Sequence, residues 1–295
     1  MGRPAVEPFS NVLIIAPVGA YVGRVKKGIE GAMARGCGEK TSVHVVLVLG
    51  SRWAKDSTYL DLTQPLITTF ENKQYQDVYP RYSCKVETLD IEDEDSCTIF
   101  LVQRLASLFS GRYGDSAAYV DLTSAPKEWV LACISVANFF DFLYLYYVKP
   151  KNPKVFSDYK NEIDDEGLPF ELVKQGFQAR ELSDWLTRGT ERWRLFHLLC
   201  QITVNTSAER KKPLNESVIE VSRVVAEAPR FIKRWAKKGE GGKRRGLGKY
   251  LNAIEKHRLF IRVGKNYIRM TDLGLALGRG LFPEIFSRQG STKAN

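Results

Sequence analysis

The densest chemistry in this 295-residue chain lies in one run, Asp121-Leu122-Thr123-Ser124-Ala125-Pro126-Lys127-Glu128-Trp129. Thr123 and Ser124 offer two hydroxyls, and Ser124 or its neighbour can cap a following helix. Pro126 suits the first helical turn, where its missing N–H costs nothing. The backbone N–H groups left free there, together with Lys127, make an anion site suited to phosphate. The same residues also suit a plain capped helix with a surface lysine, so residue type and spacing leave both readings open. A second pairing is Arg192 and His197, in the order RWRLFH. An arginine and a histidine on one helix face could polarise a phosphodiester and move its proton. That segment reads equally as an amphipathic helix with Trp193, Phe196, Leu199 and Cys200 on its apolar side.

Other chemistries find no support. After the first apolar run the chain reads Gly19-Ala20-Tyr21-Val22-Gly23, which lacks the G-x-G-x-x-G of a dinucleotide site. The five cysteines, Cys37, Cys84, Cys97, Cys133 and Cys200, include no pair at metal-ligand spacing. An odd, dispersed set predicts reduced thiols in the cytoplasm, with no disulfide frame, no metal and no cofactor. No acidic constellation suggests a metal nuclease. The longest apolar stretches, Val43 to Leu49 and Val130 to Phe142, are too short or interrupted to span a bilayer, and no basic-then-apolar leader is visible.

The elements that must position these residues alternate. Asn11 to Ala16 is a β-branched run ending at Pro17-Val18-Gly19, and Tyr21 to Arg35 has helical spacing closed by Gly36-Cys37-Gly38. Val43 to Leu49 reads as a second strand running into Gly50-Ser51-Arg52. A helix is expected over Leu62 to Asn72, a third strand over Cys84 to Leu89, and a helix after the acidic cluster Glu92 to Asp95. Ala117 to Leu122 and Phe142 to Val148 are the fourth and fifth strands, with a helix over Pro126 to Phe140 between them. Apolar strands separated by helices predict a mainly parallel sheet covered on both faces, a Rossmann-like α/β domain. Ligands bind such sheets beyond the carboxyl ends of the strands. That places candidate ligand contacts at Gly19, Arg24, Ser51, Arg52, Thr123, Ser124 and Lys127. Arg24 and Arg52 follow only from their positions after the first two strands.

The charge is segregated. From Ser183 onward there are 24 Lys and Arg against 10 Asp and Glu, whereas the first 182 residues carry 20 against 24. A basic module joined to a mildly acidic one predicts a polyanion partner for the former. The order there is a helix over Arg192 to Thr203, a loop, and a helix over Glu216 to Ala226 with Asn215 as N-cap. The glycine-broken basic run Arg230 to Arg245 follows, expected as a flexible loop that orders on DNA or as a solvated surface loop. Then comes a helix over Leu247 to His257 with Leu247, Leu251, Ile254 and Leu259 as its apolar stripe. Gly264-Lys265-Asn266 joins two alternating runs as a hairpin turn, and Thr271-Asp272 opens a last helix.

Three resemblances add to this reading. LNAIEKHRLFIRVGKNYIRMTDLGLAL resembles the winged helices of the MarR and ArsR regulator families. It implies an α+β winged helix-turn-helix domain and double-stranded DNA as partner. Lys249, Asn252 and Lys256 would then lie on the outward face of the recognition helix, and Arg262, Lys265 and Arg269 on the wing, with Arg244 and Arg245 joining from the basic run. The DLTSAPK turn, with the later strand ending Tyr146-Tyr147-Val148-Lys149-Pro150, resembles the CRISPR-associated Rossmann fold (CARF) family over residues 10–150. Here Ser124-Ala125-Pro126 stands where many relatives have glycines. This resemblance implies a homodimer that binds a cyclic oligoadenylate, first of all cyclic tetraadenylate, across its two-fold axis, in a prokaryotic CRISPR defence system. RWRLFH has the R-x4-H spacing of HEPN ribonucleases, which are often fused to CARF domains, although the winged-helix order downstream is not the all-helical HEPN pattern. The expected organisation is a ligand-sensing domain over 1–155, a bridge over 156–185 and a DNA-binding domain over 186–295. The expected function is a DNA-binding transcription regulator. The alternatives are an RNA-cutting effector using Arg192 and His197, and a ring-cleaving enzyme using Thr123, Ser124 and Lys127.

Overall fold

A computed structural model describes residues 8–19, 21–72, 74–79, 81–108, 115–137, 140, 142–151, 167, 169–174, 189–256, 258–264 and 266–287, with backbone alone at 173, 174, 253, 254 and 256. The chain divides into two compact units: Met1–Leu101 with Arg112–Ala179, and Val102–Gly111 with Arg180–Asn295. No described helix is long and apolar enough to cross a membrane.

The first unit runs β1 (Asn11–Val18), α1 (Val22–Gly36), β2 (Ser42–Gly50), a 3-10 turn at Trp53–Lys55, α2 (Ser57–Glu71), α3 (Gln74–Val78), β3 (Arg81–Leu89), α4 (Glu94–Leu108, which belongs to the second unit from Val102 on), β4 (Ser116–Asp121), α5 (Lys127–Val136), β5 (Leu143–Tyr147) and β6 (Glu171–Lys174). Its sheet has the order β3-β2-β1-β4-β5-β6. The first five strands are parallel and β6 is antiparallel to β5. All residues of β1 but the first are buried, as a strand covered on both faces requires. On one face Val12, Ile14 and Ala16 pack with Val25, Ile29 and Met33 of α1 and with Leu66 and Phe70 of α2. A Cβ at Gly28 of α1 would stand 2.6 Å from the Tyr146 ring of β5, so glycine is what lets this helix approach the sheet. The architecture is the Rossmann-like one expected from the alternation of strands and helices. Two elements differ from expectation. α2 starts five residues earlier than predicted, because the Asp56 carboxylate accepts from the N–H groups of Thr58 and Tyr59. The expected bridge contributes a strand, β6, since Phe170 and Leu172 pack against the sheet's core.

The second unit holds α6 (Glu191–Arg210), a 3-10 turn at Leu214–Glu216, β7 (Val218–Glu220), α7 (Val221–Phe231), α8 (Lys233–Ala236), α9 (Glu240–Lys256), β8 (Phe260–Arg262), β9 (Tyr267–Met270), α10 (Asp272–Leu281) and α11 (Pro283–Ser287). The three short strands form an antiparallel sheet in the order β7-β9-β8. Helix, strand, two further helices and a hairpin follow one another in this mainly helical unit. Thr271 caps α10 as expected, its hydroxyl accepting from Gly274 N at 3.0 Å. Gly264 sits in the hairpin turn at φ +76°, a conformation that favours glycine.

Two expectations here are corrected. Asn215 is no N-cap: it lies in the 3-10 turn, and the helix begins only after β7, at Val221. The basic run is not a loop either, because α8 and the first turns of α9 occupy it. The reason is Trp235, fully buried, which packs on α9 at Gly246, where a Cβ would be 3.2 Å from its ring. That anchor, with buried Leu247 and Leu251, holds as helix a segment containing Gly241, Gly242, Gly246 and Gly248. Each of those glycines costs roughly 0.5–1 kcal/mol of helix stability relative to alanine.

Candidate functional sites at the sheet edge and on the winged helix

β1, β2 and β4 are parallel, so the turns after them share one edge of the sheet. The strand order reverses between β1 and β4, and there the backbones of two turns meet. A Cβ on Gly19 would stand 2.9 Å from both Cβ and the carbonyl oxygen of Ser124. The β4 turn is held from below. Thr123 N donates to Asp121 Oδ1 at 2.7 Å, Val148 N donates to Thr123 Oγ1 at 3.1 Å, and Trp129 Nε1 donates to Asp121 O at 3.0 Å. Asp121 is wholly buried, and burial pushes its carboxyl up to about 7 against the opposing hydrogen bonds from Thr123. The Tyr146 hydroxyl faces it, and burial followed by the Asp121 charge raises that phenol well above its usual range. Ser124 Oγ is a buried atom without a hydrogen-bond partner among the described residues, while Asp121 and the Tyr146 hydroxyl face each other across the β4–β5 pairing.

Ser124 does not cap α5, contrary to expectation. Pro126 is itself the N-cap, and no side chain bonds the helix N-terminus. Ser124 stands two residues too early for its hydroxyl to reach the N–H groups of the first turn. α1 likewise starts at Tyr21 without a side-chain cap or an acidic residue in its first turn. Two helix N-termini without a side-chain cap therefore open at the edge where Gly19, Thr123 and Ser124 converge. Lys127 is exposed and 3.6 Å from Glu128. Arg24 is turned inward, 4% exposed, with its guanidinium 3.6 Å over the Tyr21 ring. Ser51 and Arg52 lie one strand further along. Ser51 N donates to Leu89 O at 2.7 Å, and the exposed Arg52 pairs with Glu92 at 3.6 Å. Residue type and spacing did not single out Asp121 or Tyr146 as a facing buried pair, because only the β4–β5 pairing sets Asp121 beside Tyr146.

In the second unit, Arg244, Arg245, Lys249 and Asn252 are exposed along α9. Arg244 pairs with Glu240 at 3.0 Å, and Arg245 Nε donates to Gly241 O at 3.4 Å. Arg262 reaches from β8 back to α9, donating to Glu255 at 3.0 Å and to the Asn252 side-chain oxygen. Arg269 is half-buried on β9. The Lys256 side chain and Lys265 lie outside the described residues. A cleft of about 900 Å³ opens between the start of α6, α8 and α9, walled by Arg192, Arg234, Trp235, Arg245, Lys249 and Tyr250. The Tyr250 hydroxyl donates to Glu191 at 2.8 Å, and Arg234 pairs with the same carboxylate.

Arg192 and His197 do not share a helix face, because five residues turn an α-helix through roughly 140° beyond a full turn. His197 lies among aromatic rings: Trp193 is stacked at 5.6 Å, Phe282 is edge-on at 4.8 Å, and Phe231 is 5.8 Å away. Burial lowers its pKa, so it is held neutral. Arg192 instead faces the basic cleft. No group of three metal-ligating side chains occurs among the described residues. All five cysteines are free thiols, and burial raises the pKa of each.

No protein-family model matches the chain, and no curated protein matches it. Among solved structures it is similar to Enterococcus italicus Csm6, bound there to cyclic hexa-2′-fluoro-hexa-dAMP, at 12% sequence identity and a TM-score of 0.35. The match covers 85% of this chain, which spans 57% of that one.

Proposed function

We propose that the chain is a DNA-binding regulator whose Rossmann-like unit senses a cyclic oligoadenylate. The observation that carries this reading is the crevice where the β1 and β4 turns meet. It sets two helix N-termini, neither capped by a side chain, beside the buried Ser124 hydroxyl, which has no hydrogen-bond partner among the described residues. Unbonded N–H groups at a helix N-terminus suit a phosphodiester. The glycine at position 19 lets the β1 turn close on the Ser124 backbone of the β4 turn, and Lys127 adds charge at the rim. The resemblance of the β4 turn to the CARF family names the ligand, with cyclic tetraadenylate first among the rings. A symmetric ring fits an isologous homodimer that shares it across a two-fold axis. The winged helix with its exposed basic α9 would take up duplex DNA, and ring binding would alter the fit of paired winged helices to half-sites.

The test is calorimetric titration of the full chain with cyclic tri-, tetra- and hexaadenylate, followed by a duplex-DNA shift with and without the tightest ring. Ser124→Ala and Lys127→Ala are each expected to weaken ring binding by up to roughly tenfold, the range of one lost hydrogen bond or charge contact. Absence of binding to every ring overturns the sensing reading. Linear products from the ring would replace it with a ring-cleaving enzyme. RNA cutting that disappears with His197→Ala would replace it with a ribonuclease.

A further inference from the structure

The 900 Å³ cleft of the winged helix has an unusual wall. Gly239, just before α9, lines it together with Gly242 and Gly246, whose spacing of four puts those two on one face of the helix. Interior packing accounts for only one of them. A Cβ at Gly246 would press on Trp235 at 3.2 Å. At Gly239 it would meet nothing within 4 Å, and at Gly242 only the flexible Lys238 side chain, at 3.5 Å or more. A helix that keeps glycine where alanine fits leaves bare backbone toward the cleft, and bare backbone permits close approach. Cations flank that strip from three elements: Arg192 at the start of α6, Lys238 after α8, and Arg245 and Lys249 on α9. Lys249 belongs both to the cleft and to the outward face it shares with Asn252, three residues on. A strand lying in the cleft therefore continues onto the face expected to read bases.

We propose that this cleft seats the phosphodiester backbone of one strand of duplex DNA against the glycine strip of α9, with Arg192 clamping a phosphate. The proposal rests on the DNA-binding reading and specifies where the strand runs. It also gives Arg192 a role that does not need His197.

The test uses the full chain and labelled mixed-sequence duplex DNA, read by fluorescence anisotropy over a salt series, beside thermal unfolding. Gly242→Leu puts a side chain into the cleft. Gly241→Leu puts one on the same helix at a residue that does not line the cleft and has nothing within 4 Å of its Cβ position. Both should raise the melting temperature by roughly 2–4 °C, since leucine is the better helix former. Only Gly242→Leu should weaken DNA binding, by roughly tenfold or more, while Gly241→Leu stays within roughly twofold. Arg192→Ala should lower the salt slope by about one, as loss of a single phosphate contact does. Equal affinities for the two leucine variants, or an unchanged slope for Arg192→Ala, overturn the cleft while the wild-type affinity leaves DNA binding standing. Failure of the wild-type chain to bind duplex DNA, with or without the ring, sinks the DNA-binding reading and the cleft with it. Loss of single-stranded RNA binding alone in Gly242→Leu would assign the cleft to RNA and overturn the proposal.

Discussion

Replacing Asp121 by Asn removes a carboxyl that the fold buries completely beneath the β4 turn. Its folded-state pKa of about 7 stands against 3.8 for the same group in an open chain. The sign follows from linkage: the unfolded chain releases this proton first, so the folded state loses stability as pH rises between the two values. Below the lower value both states are protonated and nothing is lost; above the upper value the loss is complete and constant. A gap of roughly three pH units at 1.36 kcal/mol each gives about 4 kcal/mol as an upper bound. Asparagine keeps an oxygen for the Thr123 N–H and can offer its amide to Tyr146, so the replacement is nearly isosteric and does not titrate. The assay is urea unfolding of wild type and Asp121→Asn at several values between about pH 4 and about pH 8. Carboxylates and histidines elsewhere titrate in both proteins and cancel in the difference. Wild type should lose stability relative to the variant as pH rises, and the variant should be the more stable of the two near neutrality. Parallel curves across the range would mean that Asp121 ionises as easily folded as unfolded, and the account of the β4 turn given above would be wrong.

Two further outcomes follow from the second unit. Trp235→Ala removes the fully buried ring that ties α8 to α9, and should cost about 3–5 kcal/mol in urea unfolding while abolishing DNA binding. A loss below about 1 kcal/mol would show that the basic helix forms without it. His197, held neutral by burial among aromatic rings, contributes stability that is lost as pH falls below its ordinary value of 6.5. His197→Phe should flatten that acid-side loss of the melting temperature, and an equally steep acid limb would refute the placement.

Much of this molecule could be read from pattern. The β-branched runs at Asn11 and Val43 are strands because a parallel sheet buries both faces, and continuous apolarity is the trace that leaves in a sequence. The turn at Gly264 and the cap at Thr271 were legible because each is one residue type meeting one local need. What escaped was decided by partners distant in sequence. Nothing near Arg230 to Arg245 announces a helix, with glycines dispersed among cations. The segment is helical because Trp235 turns inward and finds Gly246, a contact that periodicity does not record. The site behaves the same way. Thr123, Ser124 and Lys127 could be named from one short run, whereas Gly19 meeting Ser124, and Asp121 facing Tyr146, depend on β1 and β5 both pairing with β4. Arg192 and His197 were set together by a spacing that helical geometry itself pulls apart.

The places where local rules fail are informative in their own right. α5 begins without a side-chain cap, as do α1, α7 and α8, whereas α2, α6 and α10 have one, from Asp56, Thr190 and Thr271. Beside that bare N-terminus the chain buries a carboxyl whose ionisation opposes folding. In the second unit, α9 carries four glycines, and packing requires only Gly246 of the two that line the cleft. An amide at 121 and an alanine at 242 would each favour the folded state, and a Cβ at 242 meets only the Lys238 side chain, at 3.5 Å or more. Stability therefore does not explain these two residues. Helix N-termini without a side-chain cap at the sheet edge and bare backbone between cations on α9 have one property in common, which is that either would suit a phosphate. On the function proposed above, a phosphodiester is the class of ligand that would use both features.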